Sequence, residues 1–170
     1  QTVSPVIGVP TGQGGNTSWQ VTPALSENTW YYWCAQADDW LDTGPWMQPA
    51  RFFVNTANDP PTVPVVLSPA NDAVIPSLNV DIVLQNSTDI DSPVISYYFE
   101  VDTVPTFESG STIRSGIIPQ GPGTTTWQAI GLLDNTLYYV RAMAGDGSAG
   151  SGWTEPAIKF FVNTANDAPT

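Results

Sequence analysis

The chain has 170 residues, with 16 acidic side chains against 4 basic ones, a formal net charge of −12 and no histidine. The only cations, Arg51, Arg114, Arg141 and Lys159, are too few to displace the counterions of a nucleic acid, so polyanion partners are excluded. Without histidine there is no Ser-His-Asp or Cys-His nucleophile, no His-ligated zinc and no covalently attached haem, and the expectation is a protein that is not an enzyme.

Hydrophobic residues make up 41% of the chain and charged ones 12%, and 14 Gly with 16 Pro punctuate it, the balance of a loop-rich, β-leaning globular protein. No apolar run approaches the roughly 20 residues of a membrane helix, so no membrane insertion is expected. Gln1 in place of an initiator methionine reads as the start of a processed or excised piece, best fitted by a mature secreted, extracellular fragment.

Taken in chain order, residues 1–59 hold the sequon pattern Asn16-Thr17-Ser18, with Asn86-Ser87-Thr88 the second, and five of the seven tryptophans: Trp19, Trp30, Trp33, Trp40 and Trp46. The single cysteine, Cys34, cannot close a disulfide within the chain and reads as a thiol carried on a strand. Phe52-Phe53-Val54-Asn55-Thr56-Ala57-Asn58-Asp59 then recurs unchanged as Phe160 to Asp167, an offset of 108 residues. Upstream, Trp19-Gln20 matches Trp127-Gln128, Asn28-Thr29-Trp30-Tyr31-Tyr32 matches Asn135-Thr136-Leu137-Tyr138-Tyr139, and Trp46 matches Trp153, with one-residue slips between. A period near 100 residues is the size of one small β-sandwich, so the repeated unit is a whole domain.

Residues 60–170 therefore read as a complete repeat plus the start of the next linker, and residues 1–59 as the C-terminal half of a repeat plus its linker. A half-sandwich exposes strand edges and an open apolar face. Either the sequence belongs to a longer tandem protein, or the missing strands come from a neighbouring subunit; in both cases the expected partners are neighbouring repeats or copies of the chain.

Within the complete repeat, Val80, Ile82 and Leu84 alternate with Asp81, Val83 and Gln85. Ile95, Tyr97, Phe99 and Val101 likewise alternate with Ser96, Tyr98, Glu100 and Asp102. Period two predicts half-buried strands. With further strands at 63–67, 112–118, 124–130, 136–144 and 157–162, the prediction is all-β: a seven-stranded antiparallel sandwich.

The run Thr136-Leu137-Tyr138-Tyr139-Val140-Arg141-Ala142-Met143-Ala144 resembles the F strand of fibronectin type III domains, and Gly152-Trp153-Thr154-Glu155-Pro156 resembles the turn into their last strand. The resemblance implies tandem Ig-like beads. It also implies a tyrosine corner at Tyr138, and at Tyr31 in the first copy, with the hydroxyl bonded back to the upstream backbone. Aliphatic residues stand where the family's B-strand tryptophan belongs, so the chain is more similar to bacterial extracellular Ig-like repeats. The recurrence of Trp19, Trp127, Trp46 and Trp153 marks them as structural, and Trp33 takes the inward place of Val140.

In this topology the B-C loop (Asp89, Asp91), the F-G loop (Asp146) and the incoming linker (Asn58, Asp59) share one pole. Crowded carboxylates repel unless a cation joins them, and an all-oxygen donor set fits calcium, the one cofactor the sequence suggests. The Asn-Asp pair before proline, with an Asp-x-Asp loop, also resembles cadherin-type junctions, implying calcium at Asn58, Asp59, Asp89 and Asp91; solvated turn residues are the other reading of the same pattern. The expected function is an extracellular structural repeat of a bacterial surface stalk, adhesin or self-assembling filament. The alternative is a carbohydrate-binding or accessory module of a secreted enzyme, with Trp30 and Trp40 as its platform.

Overall fold

The computed structural model describes residues 16–165. The chain divides into two compact units, Gln1–Ala57 and Asn58–Thr170.

In the first unit, β1 (Thr29–Trp33) pairs antiparallel with β2 (Ala50–Val54) in a register that sets Tyr31 opposite Phe52. Asn28 adopts φ 53° ahead of β1, a left-handed turn that asparagine tolerates better than most residues, and its Oδ1 accepts from Asn55 Nδ2 at 3.1 Å. Thr29 Oγ1 then donates to Glu27 O at 2.9 Å. The rings of Tyr31 and Phe52 stack with centroids 5.9 Å apart, and the Tyr31 hydroxyl accepts from Ser26 N at 2.7 Å.

The second unit repeats each of these features in a complete setting. Asn135 has φ 55°, Thr136 Oγ1 donates to Asp134 O at 2.9 Å, Tyr138 stacks on Phe160 at 5.8 Å, and the Tyr138 hydroxyl accepts from Leu133 N at 2.9 Å. Its strands are β3 (Val65–Ser68), β4 (Ala73–Ile75), β5 (Val80–Gln85), β6 (Ser96–Asp102), β7 (Ile113–Arg114), β8 (Ile118–Pro119), β9 (Thr124–Ala129), β10 (Thr136–Gly145), β11 (Gly150–Trp153) and β12 (Ile158–Val162). One sheet has the order β3-β5-β9; the other runs β4-β12-β10-β6-β7, with β8 also on β6 and β11 also on β10.

The apolar positions of the alternating strands meet between the sheets. Ile82 and Leu84 of β5, Phe99 and Val101 of β6, Val140, Ala142 and Ala144 of β10 and Phe160 and Val162 of β12 are all at 0% exposure. Each large aliphatic or aromatic side chain buried there contributes about 1.5–3 kcal/mol.

The sandwich departs from the expected pattern in three places. The strand expected over 112–118 is two short pieces, because Gly116 turns at φ 70° between them. Asp72, at φ 62°, redirects the chain so that β4 pairs parallel with β12, Phe160 opposite Ala73, and the sandwich is not purely antiparallel. An additional short strand, β11, which contains Gly152 at φ 82°, precedes the expected last strand, with Pro156 in the gap before β12.

The second half of the polar side of β6 is also buried, at Glu100 and Asp102, while Tyr98 is exposed as the alternation predicts. Glu100 accepts from Arg114 Nε at 2.8 Å and from Arg141 Nη2 at 2.6 Å, and the Arg141 guanidinium lies 4.1 Å from the Phe107 ring and 4.2 Å from that of Trp153. Asp102, 1% exposed, accepts from Thr103 N at 2.6 Å, Ser109 N at 3.3 Å and Thr112 Oγ1 at 2.7 Å. Burial pushes its carboxyl up, but the hydrogen bonds from Ser109, Thr112 and Thr103 outweigh burial and hold it at about 2, below the ordinary 3.8.

A depressed folded-state value means stability that is complete above the unfolded value and is lost as pH falls through it. Asp102 therefore contributes about 2 kcal/mol near neutrality that disappears between about pH 4 and pH 2. Asp102→Asn is expected to remove that limb from an acid-unfolding curve followed by circular dichroism; an unchanged curve would contradict it.

Candidate cation site and linker anchors

The first residues of the second unit run across one pole of its sandwich. Thr62 N donates to Thr88 O, and Thr88 N to Thr62 Oγ1, each at 2.9 Å, which holds the incoming segment against the loop between β5 and β6. Pro61 and Pro64 are buried behind it. The loop folds on Asp89, whose Oδ1 accepts from Asp91 N and Ser92 N, both at 3.0 Å. The loop between β10 and β11 folds in the same way on Asp146, whose Oδ1 accepts from Ser148 N at 2.6 Å and Ala149 N at 2.7 Å. Short polar side chains bonded to the next backbone amides are the local reason Asp occupies these turns.

Those turns bring one carboxylate oxygen each from Asp89, Asp91 and Asp146 within 4.8 Å of one another. None of the three ion pairs among the described residues involves them. Contact with the Asp89 carboxylate raises the Asp91 pKa, while backbone amides, Ala149 foremost, lower that of Asp146. Asp89 Oδ2 is out of contact with water and has no hydrogen-bond partner.

Asn58 and Asp59 bond to the cluster, and the charge of the Asp59 carboxylate adds to the rise in the Asp91 pKa. Asn58 presents its amide nitrogen to Asp146 Oδ2 at 2.8 Å, a donor serving the carboxylate, and Asp59 N donates to Asp91 Oδ2 at 3.0 Å. The cluster therefore offers three carboxylates, a hard, all-oxygen set suited to calcium and unlike the nitrogen and sulfur sites of transition metals.

A second use of carboxylates has no counterpart in the sequence-based expectations. Glu27 Oε1 accepts from the backbone nitrogens of Thr56 and of Ala57, the latter at 3.1 Å, and its Oε2 accepts from Thr56 Oγ1 at 2.8 Å. In the second unit Asp134 Oδ1 accepts from Thr164 N at 2.7 Å. Both carboxyls are held below their ordinary range, chiefly by these backbone bonds from Thr56 and Thr164. The signal was present as an acid before Asn-Thr in each copy, Glu27-Asn28-Thr29 and Asp134-Asn135-Thr136.

The tryptophans divide by unit. Trp127 is half-buried with its ring 5.6 Å from Phe99, and Trp153 lies against Arg141. Their counterparts Trp19 and Trp46 are exposed. Trp30 is engaged by Phe53, at 5.2 Å, and by Arg51, at 4.6 Å. Trp40 sits in the loop between β1 and β2 at φ 75°, 84% exposed, with its nitrogen bonded to Asp38 Oδ1 at 2.6 Å. Cys34 is exposed, and Asn166 and Asp167, the end of the second octapeptide, lie outside the described residues.

No family model matches the chain, and no curated protein matches it. Among solved structures it is similar to the FN1–FN3 domains of chicken CNTN1, with 17% identity and a TM-score of 0.50 over 86% of this chain and 47% of that one. It is also similar to the sixth fibronectin type III domain of human fibronectin type III domain containing protein 3, with 16% identity and a TM-score of 0.44 over 68% of this chain and 95% of that one. A third similarity is to domains d3–d4 of the rat CD45 extracellular region, with 14% identity and a TM-score of 0.40 over 91% and 75%. The chain spans about half the length of the CNTN1 structure it matches. The fold is a fibronectin type III-like β-sandwich.

Proposed function

We propose that this chain is a non-catalytic structural repeat segment of an extracellular, bacterial surface stalk, adhesin or filament. Its fibronectin type III-like beads carry load and set spacing, and its repeated linkers set the angle between beads. The observation that carries this reading is the shared linker anchor, Glu27 on Thr56 and Ala57 and Asp134 on Thr164. A linker clamped by a carboxylate as it leaves the sheet has a fixed direction of exit, and the prolines that follow, Pro60 and Pro61, restrict φ further. A protein that needs only flexible tethering has no use for the same clamp twice.

In this reading the acidic pole takes calcium, held by Asp89, Asp91 and Asp146, with Asn58 and Asp59 orienting the carboxylates. The ion would neutralise the cluster and give Asp89 Oδ2 the partner it lacks, stiffening the segment that enters the bead. With a dissociation constant of about 10⁻⁴ to 10⁻³ M, 10 mM calcium stabilises the second unit by about 1.4–2.7 kcal/mol. The melting temperature is expected to rise with calcium, to be unmoved by the same ionic strength of NaCl, and to lose its calcium response in Asp91→Asn and Asp146→Asn. A melting temperature equal in calcium and in chelator would refute the cation site.

A further inference from the structure

The two units carry the same inner face in opposite states. The repeat equates Tyr31 with Tyr138, Trp33 with Val140, Phe52 with Phe160 and Val54 with Val162. In the second unit Val140, Phe160 and Val162 are at 0% exposure, because β5 and β6 complete the cluster around them. In the first, Trp33 is 48% and Phe52 38% exposed, and Tyr31 is the one buried hydrophobic residue among those described.

The edge of β1 matches this. β10 has β12 on one side, along residues 136–140, and β6 on the other, along residues 139–145. β1 has β2 on the first side and, among the described residues, no strand on the second. It is also shorter: β10 runs ten residues, whereas β1 stops after five, at the counterpart of Val140. The missing stretch, residues 34–38, is the counterpart of the part of β10 that β6 supports. An apolar face beside a row of unpaired N–H and C=O groups is a template for added strands.

We propose that this surface receives the first half of another repeat of the same kind, the counterpart of residues 60–104. Its β6 equivalent pairs antiparallel with β1 and extends it through Ala37, and its β5 equivalent lays an aliphatic row of the Val80-Ile82-Leu84 type over Trp33 and Phe52. The second unit supplies the template for this occupant. Two first units packed face to face would cover the apolar surfaces but leave both β1 edges open. The inference rests on reading the first unit as part of a repeat; calcium titration reports on the second unit alone, so either idea can fail without the other.

The test adds an unlabelled synthetic peptide of residues 60–104 to the ¹⁵N-labelled full chain. The expected result is a one-to-one complex in which the amides of Cys34 and Gln36, which face the open edge, exchange about 100-fold more slowly, whereas those of Ala35 and Ala37, which face Met47 and Gly44, do not, and tryptophan emission shifts to the blue. Trp33→Asp abolishes both effects and Trp40→Ala neither. Should the peptide aggregate, a chain with residues 60–110 fused ahead of Gln1 gives the same readout and the same expected protection. Absence of protection at Cys34 and Gln36 in the fused chain would overturn the proposal. So would a dimer of the unmodified chain that Trp33→Asp dissociates, which would make a second copy the occupant.

Discussion

Phe160→Ala is expected to destabilise the second unit by about 3–5 kcal/mol, whereas Phe52→Ala changes the stability of the first by only about 1–2 kcal/mol. The two residues occupy equivalent positions in identical octapeptides, and each stacks on its tyrosine at nearly the same distance. They differ in what lies opposite. Phe160 is fully buried between two sheets, so truncation removes its transfer energy and leaves a cavity that close-packed neighbours cannot fill. Phe52 keeps more than a third of its surface in water and has no second sheet opposite it, so less transfer energy is lost and no enclosed void is created. Denaturant titration with unit-specific amide signals measures both, and equal losses at the two sites would show that the first unit buries its inner face after all.

Arg141→Ala is expected to cost about 3 kcal/mol. The substitution strips Glu100, whose side chain is 8% exposed, of its shorter ion pair and leaves it with Arg114, which is 54% exposed. Removing one partner of a buried pair costs more than the pair contributes, because the remaining charge is left without compensation. The cation–π contacts with Phe107 and Trp153 are lost as well. Arg141→Lys keeps the charge but not the planar fork, so an intermediate loss is expected. Lys159→Ala serves as the comparison: its pair with Asp72 is exposed on both sides, at 43% and 63%, and its loss changes stability by about 0.5 kcal/mol or less.

The parts of the fold readable in the sequence were those that local pattern controls. Alternation in 80–85 and 95–102 gave the two sheets their inner faces, and Asp and Asn clusters marked the turns at 89–92 and 146–149. What escaped depended on contacts made at a distance. Glu100 and Asp102 sit in the outward phase of β6, and only the fold of residues 103–112 and the approach of Arg141 bury them. The parallel pairing of β4 with β12 joins segments more than 80 residues apart and has no signature in a three-residue strand. At the acidic pole the sequence placed five residues together, but which of them face the cluster was set by hydrogen-bond direction: Asn58 gives its amide N–H to Asp146, and Asp59 gives its backbone N–H to Asp91. The anchors Glu27 and Asp134 escaped because an acid ahead of Asn-Thr looks like ordinary turn chemistry until the linker returns beside it.

The spacer reading is tested most directly by stretching the full chain end to end in an optical trap. The second unit is entered at β3 and left after β12, so once β3 comes off β5 the pull loads the parallel pair of β4 and β12 in shear, where its hydrogen bonds must break together. The second unit is expected to yield in one abrupt step of roughly 350 Å, the extended length of its 108 repeat residues. The first unit is expected to lengthen gradually at lower force. Smooth extension of the whole chain without a step, at every pulling rate, would contradict the spacer reading.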